Sequence, residues 1–375
     1  MKANSARRVT PVRPTRGTAT AVKLRGVEAS RGIAAVLVVL RHATDLLAVP
    51  KYFGTWPLGG LFIFGNAGID FFFVLSGFII YHVHREDIGR PSRVPGYAWK
   101  RFVRIYPIYW IVFTGLGLIL LYSPEKNPAV TSPANVFASV LLLPRVQWPV
   151  LGVAWTLRHE VMFYTLFCVL LLNRAAGRLV LVAWAVLIGW NIAIFWTTGS
   201  PFFHGLAGSI PFRIFNIEFF FGMGVALLLN RGTAWCPRLW LLLGVVIFFG
   251  NGLIESFGPH VPPEWPPRQL PYALGAAMAV YGLVGAERAG TLTVPGPLVT
   301  LGSASYSVYL THLITIMVLE QALLRLRSHV PLPRDVTFLV IAAIAILGGV
   351  VFSRLVEQPL LRRLRRRPPR IAVAT

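Results

Sequence analysis

The chain's first apolar segment reads SRGIAAVLVVLRH over residues 30–42, with Arg31 near its start and His42 at its end. The two ionisable residues are eleven positions apart. In an α-helix this spacing is close to three full turns, so both side chains lie on one face, separated by roughly 16 Å along the axis. Ionisable groups inside an apolar helix are costly and usually mark a functional site. This segment therefore predicts a membrane-spanning helix of an enzyme or a transporter.

The apolar pattern continues along the whole chain. Of the 375 residues, 55% are hydrophobic and 13% are charged, whereas a soluble protein carries roughly 25% charged residues. Segments close to the length of about 20 residues that crosses a bilayer occur approximately at 32–49, 60–81, 105–122, 153–172, 179–197, 211–229, 239–257, 270–286, 298–323 and 335–353. We expect an all-α polytopic membrane protein with about ten transmembrane helices. A shorter run near 135–144, which ends at Pro144, predicts an interfacial or re-entrant helix.

The basic residues predict the orientation of these helices. The chain has 36 Lys and Arg and a formal net charge of +22, concentrated in residues 1–25, 85–104 and 354–370. With a cytoplasmic N-terminus and ten crossings, most of these residues fall in cytoplasmic loops, as the positive-inside rule requires. We expect both termini in the cytoplasm, with a flexible basic tail at 1–24, a membrane domain at 25–361 and a second basic tail at 362–375.

Topology explains the positive charge without a nucleic-acid partner, and no nucleic-acid-binding motif accompanies it. The chain has two cysteines, Cys168 in an apolar segment and Cys236 in a predicted loop. This pattern predicts neither a disulfide framework nor a metal site.

Four titratable residues fall into one layer of the predicted bundle. From a rise of 1.5 Å per residue, His42 lies about 16–18 Å and His312 about 20 Å from the cytoplasmic side. Asp70 lies roughly 15 Å and Glu160 about 10 Å from the outer side. An imidazole oriented by a carboxylate can deprotonate an alcohol, but a transporter's proton relay uses the same residue types. Separate packing roles for the four residues are the third interpretation.

Two short stretches near the cytoplasmic side allow two interpretations each. Arg101 and Arg104 lie one turn apart where a helix enters the membrane; they suit phosphate binding or serve only as snorkelling arginines. Glu357, at the inner end of the last span, is placed to pair with one of them. The small residues around Ser76 in the second span favour close helix packing, with a bound extended ligand as the alternative.

Six motifs in order give the chain a family resemblance. They are Arg31 with His42, GIDFFFVLSGF at 68–78, RFVRIYP at 101–107, WTLRHE at 155–160 followed by Phe163 and Tyr164, SYSVYLTH at 305–312, and EQP at 357–359. Over residues 24–362 the chain resembles the membrane acyltransferase-3 family, which includes O-antigen O-acetylases and exopolysaccharide and macrolide acyltransferases. Thr156 and Glu28 stand where the family more often has Ser and Asp.

The resemblance implies a bacterial inner-membrane enzyme that moves an acyl group from cytoplasmic acyl-CoA to a hydroxyl of a cell-surface glycan or its lipid-linked precursor. Acetyl is the default acyl group. Succinyl is an alternative, because residues 71–164 look most like the succinoglycan-type branch of the family. It assigns catalysis to His42, Arg31, Glu160 and Asp70, CoA binding to Arg101, Arg104 and Ser76, and substrate or supporting roles to Trp155, Tyr164, Tyr309, His312 and Glu357. His42 would act as base or as acyl carrier, with Glu160 or Asp70 orienting it.

Two other hypotheses remain. A transporter or flippase for a glycan intermediate would use the polar layer as a path, although the sequence shows no clear internal repeat of the kind many transporters have. A non-catalytic partner in polysaccharide export would tolerate apolar replacements in that layer. The sequence assigns membrane lipids as partners and predicts no oligomeric state.

Overall fold

The computed structural model describes residues 24–120, 130, 132–145, 147–200, 202, 207–259, 265–326 and 333–365, and this part of the chain is helical with no strand. Its α-helices are α1 (Arg25–Leu47), α2 (Ala67–His84), α3 (Val94–Leu120), α4 (Pro133–Val140), α5 (Ala154–Leu172), α6 (Arg174–Thr198), α7 (Ile217–Arg231), α8 (Pro237–Phe257), α9 (Pro266–Arg288), α10 (Gly296–Ser303), α11 (Ser305–Leu326), α12 (Arg334–Phe352) and α13 (Gln358–Arg365). A π-helical turn, Ser353–Glu357, joins α12 to α13. The all-α prediction is confirmed.

Within the described residues, nine helical segments are long and apolar enough to cross a membrane. They match nine of the ten predicted spans. The tenth, α1, has the necessary length but carries ionisable residues along it, Arg25, Glu28, Arg31, Arg41 and Asp45, which lower its hydropathy. α1 nevertheless lies inside the bundle, packed against α2, α10 and α11.

The ends of α1 define two faces of the bundle. At its start, the backbone N–H groups of Arg25 and Gly26 donate to the Glu287 carboxylate at the end of α9, at 2.6 and 2.9 Å. Beyond its end, the backbone N–H of Leu58 donates to Asp335 at the start of α12, at 3.0 Å. We call these the proximal and distal faces; the cytoplasmic placement of the proximal face stays a prediction.

Two predicted segments differ from the structure at their ends. The apolar run 298–323 is two helices, because α10 ends at Ser303 and α11 starts at Ser305. Residues 362–365, expected in the second tail, are the last residues of α13. Residues 1–23 and 366–375 of the predicted tails lie outside the described residues.

Glycines allow α2 and α7 to pack in close contact. A Cβ added to Gly77 would meet the backbone carbonyl of Phe219, and one added to Gly222 would meet that of Val74. Small residues mediate close approach between membrane helices because side-chain burial alone is a weak driving force in lipid. The packing role predicted around Ser76 is therefore present.

The predicted interfacial or re-entrant helix is α4, whose eight residues are too few to span a bilayer. Ser132 caps its start by accepting from the Asn135 N–H at 3.3 Å. Three side chains of α3 donate hydrogen bonds to carbonyls at its end, namely Tyr109 to Ser139, Trp110 to Val140 and Tyr106 to Leu141, at 2.7–3.0 Å. These bonds satisfy backbone acceptors that a short helix leaves unpaired and hold α4 against α3.

Candidate active site

A cavity of about 760 Å³ enters the bundle from the proximal face between α2, α3, α5 and α11. Ile69 and Ile80, eleven residues apart on α2, both line it, so it extends roughly 16 Å along that helix. Lys100, Arg101 and Arg104 lie at its mouth. The inner end is largely apolar and is lined by Ile69, Phe72, Thr156, Leu157 and Tyr309. We call it the donor cavity.

Aromatic rings hold the two arginines at the mouth. The guanidinium carbon of Arg101 lies 5.6 Å from the centre of the Tyr164 ring, and that of Arg104 lies 5.1 Å from the centre of the Tyr306 ring. Both distances are within the range of cation–π attraction. The rings orient the guanidinium groups while leaving N–H donors available for an anion.

Glu357 is the carboxylate that pairs with one of these arginines. It accepts from Arg104 Nη1 at 3.2 Å, from Ser307 Oγ at 2.6 Å and from Ser353 Oγ at 2.9 Å. Glu357 is 1% exposed, so the loss of Arg104 would leave the Glu357 charge buried and unpaired. The π-helical turn that contains Glu357 thereby fixes Arg104 and the start of α13.

Arg31 reaches the donor cavity from α1. Its Nε donates to Ser305 Oγ at 3.4 Å, and its guanidinium carbon lies 5.9 Å from the centre of the Phe72 ring. The side chain is close enough to interact electrostatically with Arg104, Glu160 and Glu357. Arg31 is therefore a cation inside the cavity, deeper than the pair at its mouth.

Glu160 lies in the cavity wall and does not contact the histidines. Its Oε1 accepts from the Tyr164 hydroxyl, one helical turn away on α5, and from Ser76 Oγ at 3.3 Å. Ser76, Tyr164 and Glu160 thus form one hydrogen-bonded group in the wall. Within the described residues no hydrogen bond joins Glu160 to His42, so this structure does not show the suggested orientation of the imidazole by a carboxylate.

The two histidines of the predicted layer form a pair. His42 Nδ1 lies 2.9 Å from the carbonyl oxygen of Val38 and 3.2 Å from His312 Nε2, while His312 Nδ1 lies 3.2 Å from the carbonyl oxygen of Val308. A carbonyl only accepts, so we assign a proton to each Nδ1. His312 Nε2 is then an acceptor for the His42 Nδ1–H, and His42 Nε2 keeps its lone pair. This is the arrangement of an oriented base.

Asp70 belongs to a separate buried cluster between α2, α7 and α9. Gln269 Nε2 donates to Asp70 Oδ1 at 2.8 Å and to Glu218 Oε1 at 3.2 Å. Arg268 lies next to this cluster and is paired with Glu255 at 2.8 Å. None of these residues lines the donor cavity. The sequence analysis grouped Asp70 with His42, Glu160 and His312 and missed its actual partners, although Glu218 in an apolar segment was a visible signal.

Tyr309 separates the donor cavity from the histidine pair. Its hydroxyl is 2.7 Å from Thr156 Oγ1 and 3.0 Å from the carbonyl oxygen of Val153. Its ring centre is 5.8 Å from that of His312 on one side and 6.1 Å from that of Phe72 on the other. The histidines therefore lie about one helical turn beyond the inner end of the cavity.

Comparison with known proteins identifies the family of the chain. A family model described as "Acyltransferase domain" (Acyl_transf_3) matches residues 24–356, which is most of the chain. The chain belongs to this acyltransferase family. Its relatives include the exopolysaccharide production protein ExoZ of Rhizobium meliloti (strain 1021), 29% identical over 318 residues that cover 82% of this chain and 93% of ExoZ. Another is the acyltransferase MdmB of Streptomyces mycarofaciens, 25% identical over 381 residues that cover 93% and 94% of the two chains. No solved structure matches.

Membership of the acyltransferase family confirms the predicted resemblance and supports an acyltransferase in a multi-pass membrane protein. The donor cavity brings together seven of the predicted site residues, namely Arg31, Ser76, Arg101, Arg104, Glu160, Tyr164 and Tyr309. His42, His312 and Glu357 lie directly against this group, whereas Asp70 and Trp155 face other helices. The indole of Trp155 packs on Phe215, with ring centres 5.1 Å apart. The sequence analysis missed Lys100, Ser305 and Arg365 as lining residues.

Proposed function

We propose that this protein transfers an acyl group, acetyl by default, from cytoplasmic acyl-CoA to a hydroxyl of a cell-surface polysaccharide or its lipid-linked precursor. The observation that carries the proposal is the donor cavity. It has several cations at its mouth and a largely apolar inner end next to an oriented histidine base.

The shape and charge of the cavity suit acyl-CoA. Coenzyme A joins a phosphorylated nucleotide to a long, thin pantetheine arm that ends in the thioester. Guanidinium groups bind phosphate oxygens through charge-assisted hydrogen bonds, which Arg101 and Arg104 offer at the mouth. The arm would then extend past Ser76 and Ile69, and the acyl group would reach the end that Phe72 and Tyr309 close.

The histidine pair supplies the base. His42 Nε2 takes the proton of the acceptor hydroxyl while that oxygen attacks the thioester carbonyl carbon. The carbon–sulfur bond breaks, the ester forms, and the thiolate of coenzyme A leaves and takes up a proton as His42 releases the one that it received. His312 Nε2 accepts from the His42 Nδ1–H throughout and stabilises the imidazolium that forms. Because Tyr309 and Phe72 stand between the cavity and the base, transfer requires these two side chains to turn aside.

The acceptor class comes from the relatives and from the positions of the residues. ExoZ is described as an exopolysaccharide production protein, and a sugar hydroxyl is a neutral nucleophile that needs a base. The distal end of α1 lies beyond His42, so an acceptor arriving from the distal side would meet the histidine without passing the donor cavity. The positive-inside rule makes that side external in the bacterial inner membrane.

The test is transfer of radiolabel from acetyl-CoA in proteoliposomes that contain the full chain and a polysaccharide or lipid-linked glycan acceptor. We expect label on the acceptor with the unaltered protein and none with His42→Ala. His84→Ala is the matched control, because His84 pairs with Asp87 and lines neither described cavity. Label that accumulates on the unaltered protein when no acceptor is present, and that is absent from His42→Ala, would identify His42 as an acyl carrier. Full transfer by folded His42→Ala would remove this residue from the mechanism, and no transfer from any short acyl-CoA would favour a transporter.

A further inference from the structure

A second cavity, of about 1100 Å³, lies on the proximal face beside the donor cavity. Parts of α1, α2, α9, α10 and α13 line it. The two cavities share four lining residues, Arg31, Ile79, Arg104 and Arg365. The two cavities are therefore adjacent at the proximal face.

The second cavity is lined by several arginines and by three carboxylates, Glu28, Glu287 and Glu357, and the described contacts engage the last two. Glu287 accepts from the backbone N–H groups at the start of α1, and Glu357 is saturated by Arg104 and two serine hydroxyls. Arg362 and Arg365, in contrast, make no hydrogen bond and no ion pair to any described residue. Both line this cavity. Two unpaired guanidinium groups in one wall favour a phosphate ligand.

The placement of these arginines follows from the structure of α13. The preceding π-helical turn is anchored by Glu357, and Leu361 is buried at 7% exposure. Arg362 and Arg365 are three residues apart, so they lie on neighbouring positions of one helix face. Arg363 lies between them in sequence and lines neither cavity. Of these three arginines on α13, two therefore line the second cavity and one does not.

We propose that the second cavity holds the adenosine end of the acyl-CoA, and that Arg362 and Arg365 bind its 3′-phosphate. The proposal rests on the proposed function. The diphosphate would lie at Arg104 where the cavities meet, and the nucleoside would pack on the apolar part of the wall, which includes Val27, Phe78 and Ile79. Two sets of cations, on α3 and on α13, thus match the two separate phosphate groups of coenzyme A.

In the alternative placement, the nucleotide of coenzyme A lies along α3, outside the second cavity. Ser92, Pro95, Trp99 and Lys100 line that side of the mouth of the donor cavity and are absent from the second cavity. In that case Lys100 would be the residue that binds the 3′-phosphate. The two placements predict different residues for the same chemical group, which makes them separable.

The experiment measures equilibrium dissociation constants of coenzyme A and of 3′-dephospho-coenzyme A for the purified full chain by calorimetry. We expect the unaltered protein to bind coenzyme A about twofold to thirtyfold more tightly, because Arg362 and Arg365 are exposed and exposed ion pairs contribute little each. Arg362→Gln with Arg365→Gln should abolish this preference, and Arg365→Gln alone should reduce it. Arg363→Gln, the matched control, and Lys100→Gln should retain it, with melting temperatures confirming that every variant is folded.

Three results would overturn the proposal: equal affinity of the unaltered protein for both ligands, an intact preference in the double variant, or its loss in Lys100→Gln. Binding is measured without turnover, so the outcome is independent of the acyl-transfer assay. Selective binding of coenzyme A without transfer to any acceptor would count against the proposed function alone. Failure to bind either ligand would contradict both.

Discussion

Replacing His312 separates the base from its supporting partner. His312 is fully buried, and its Nε2 lies 3.2 Å from His42 Nδ1. His312→Phe keeps an aromatic ring of similar size but removes the acceptor. We expect this change to lower kcat while leaving the KM for acyl-CoA unchanged, because His312 lies beyond the donor cavity and touches none of the cations at its mouth.

The size of the effect follows from the charge that develops on His42. As Nε2 takes the proton, the Nδ1–H becomes part of an imidazolium, and its bond to His312 becomes charge-assisted. Such bonds contribute about 1.5–3 kcal/mol. Because 1.36 kcal/mol corresponds to a factor of ten in rate, the expected loss of kcat is about tenfold to 150-fold. The carbonyl of Val38 remains as a second acceptor, which favours the lower part of this range.

The assay is steady-state acyl transfer in proteoliposomes at several acyl-CoA concentrations, with thermal melting as a check on folding. His312→Gln is the conservative variant, since an amide oxygen can accept in place of Nε2, and it should restore most of the turnover. The reasoning is refuted if folded His312→Phe turns over like the unaltered protein. It is also refuted if the loss appears in KM instead of kcat, or if the Gln variant is as slow as the Phe variant.

Two further predictions concern the mouth of the cavity and the packing of α2. Arg104→Met should weaken acyl-CoA binding and also lower the melting temperature, because it leaves the buried Glu357 carboxylate without its cation; Arg101→Met should weaken binding only, since no described carboxylate pairs with it. Equal melting temperatures for the two variants would contradict this. Gly222→Ala should destabilise the protein by about 1–3 kcal/mol, because its Cβ would meet backbone atoms of α2. An added Cβ at Gly224 on the same helix meets nothing within 4 Å, so Gly224→Ala should be neutral to slightly stabilising in the same chemical-denaturation measurement, because alanine has the higher helix propensity.

The helices could be predicted from the sequence because each long apolar run must satisfy its backbone hydrogen bonds internally. Their ends could not. The run 298–323 contains neither proline nor a charged residue near Ala304, only small residues such as Gly302 and Ser303, yet the helix breaks there. Conversely, α3 begins at Val94, well before its apolar part, so the charged residues Lys100 and Arg101 are already part of the helix. Apolar length predicts what lipid covers, whereas helix ends depend on local contacts.

The sequence predicted that His42 and His312 lie at one level of the bundle, but it did not predict which neighbours the site residues face. A rise of 1.5 Å per residue fixes how deep a side chain lies, and it correctly placed His42 and His312 at one level. It leaves open which neighbour a side chain faces. Glu160 faces Ser76 and Tyr164, and Asp70 faces α7 and α9, so only the two histidines meet. Choosing among those partners requires the order of the helices around the bundle, which one sequence does not contain.

The arginines show why composition alone cannot distinguish a topological charge from a binding residue. The stretch RRLRRR at 362–367 has the composition of a cytoplasmic flank, and the positive-inside rule explains it fully. The structure adds two criteria that the rule lacks. The first is whether a guanidinium group lines a cavity, and the second is whether that guanidinium is already paired with a carboxylate. Arg362 and Arg365 meet both criteria for a ligand, while Arg363 fails the first. A single turn of helix thus places three arginines that have the same topological role in different surroundings.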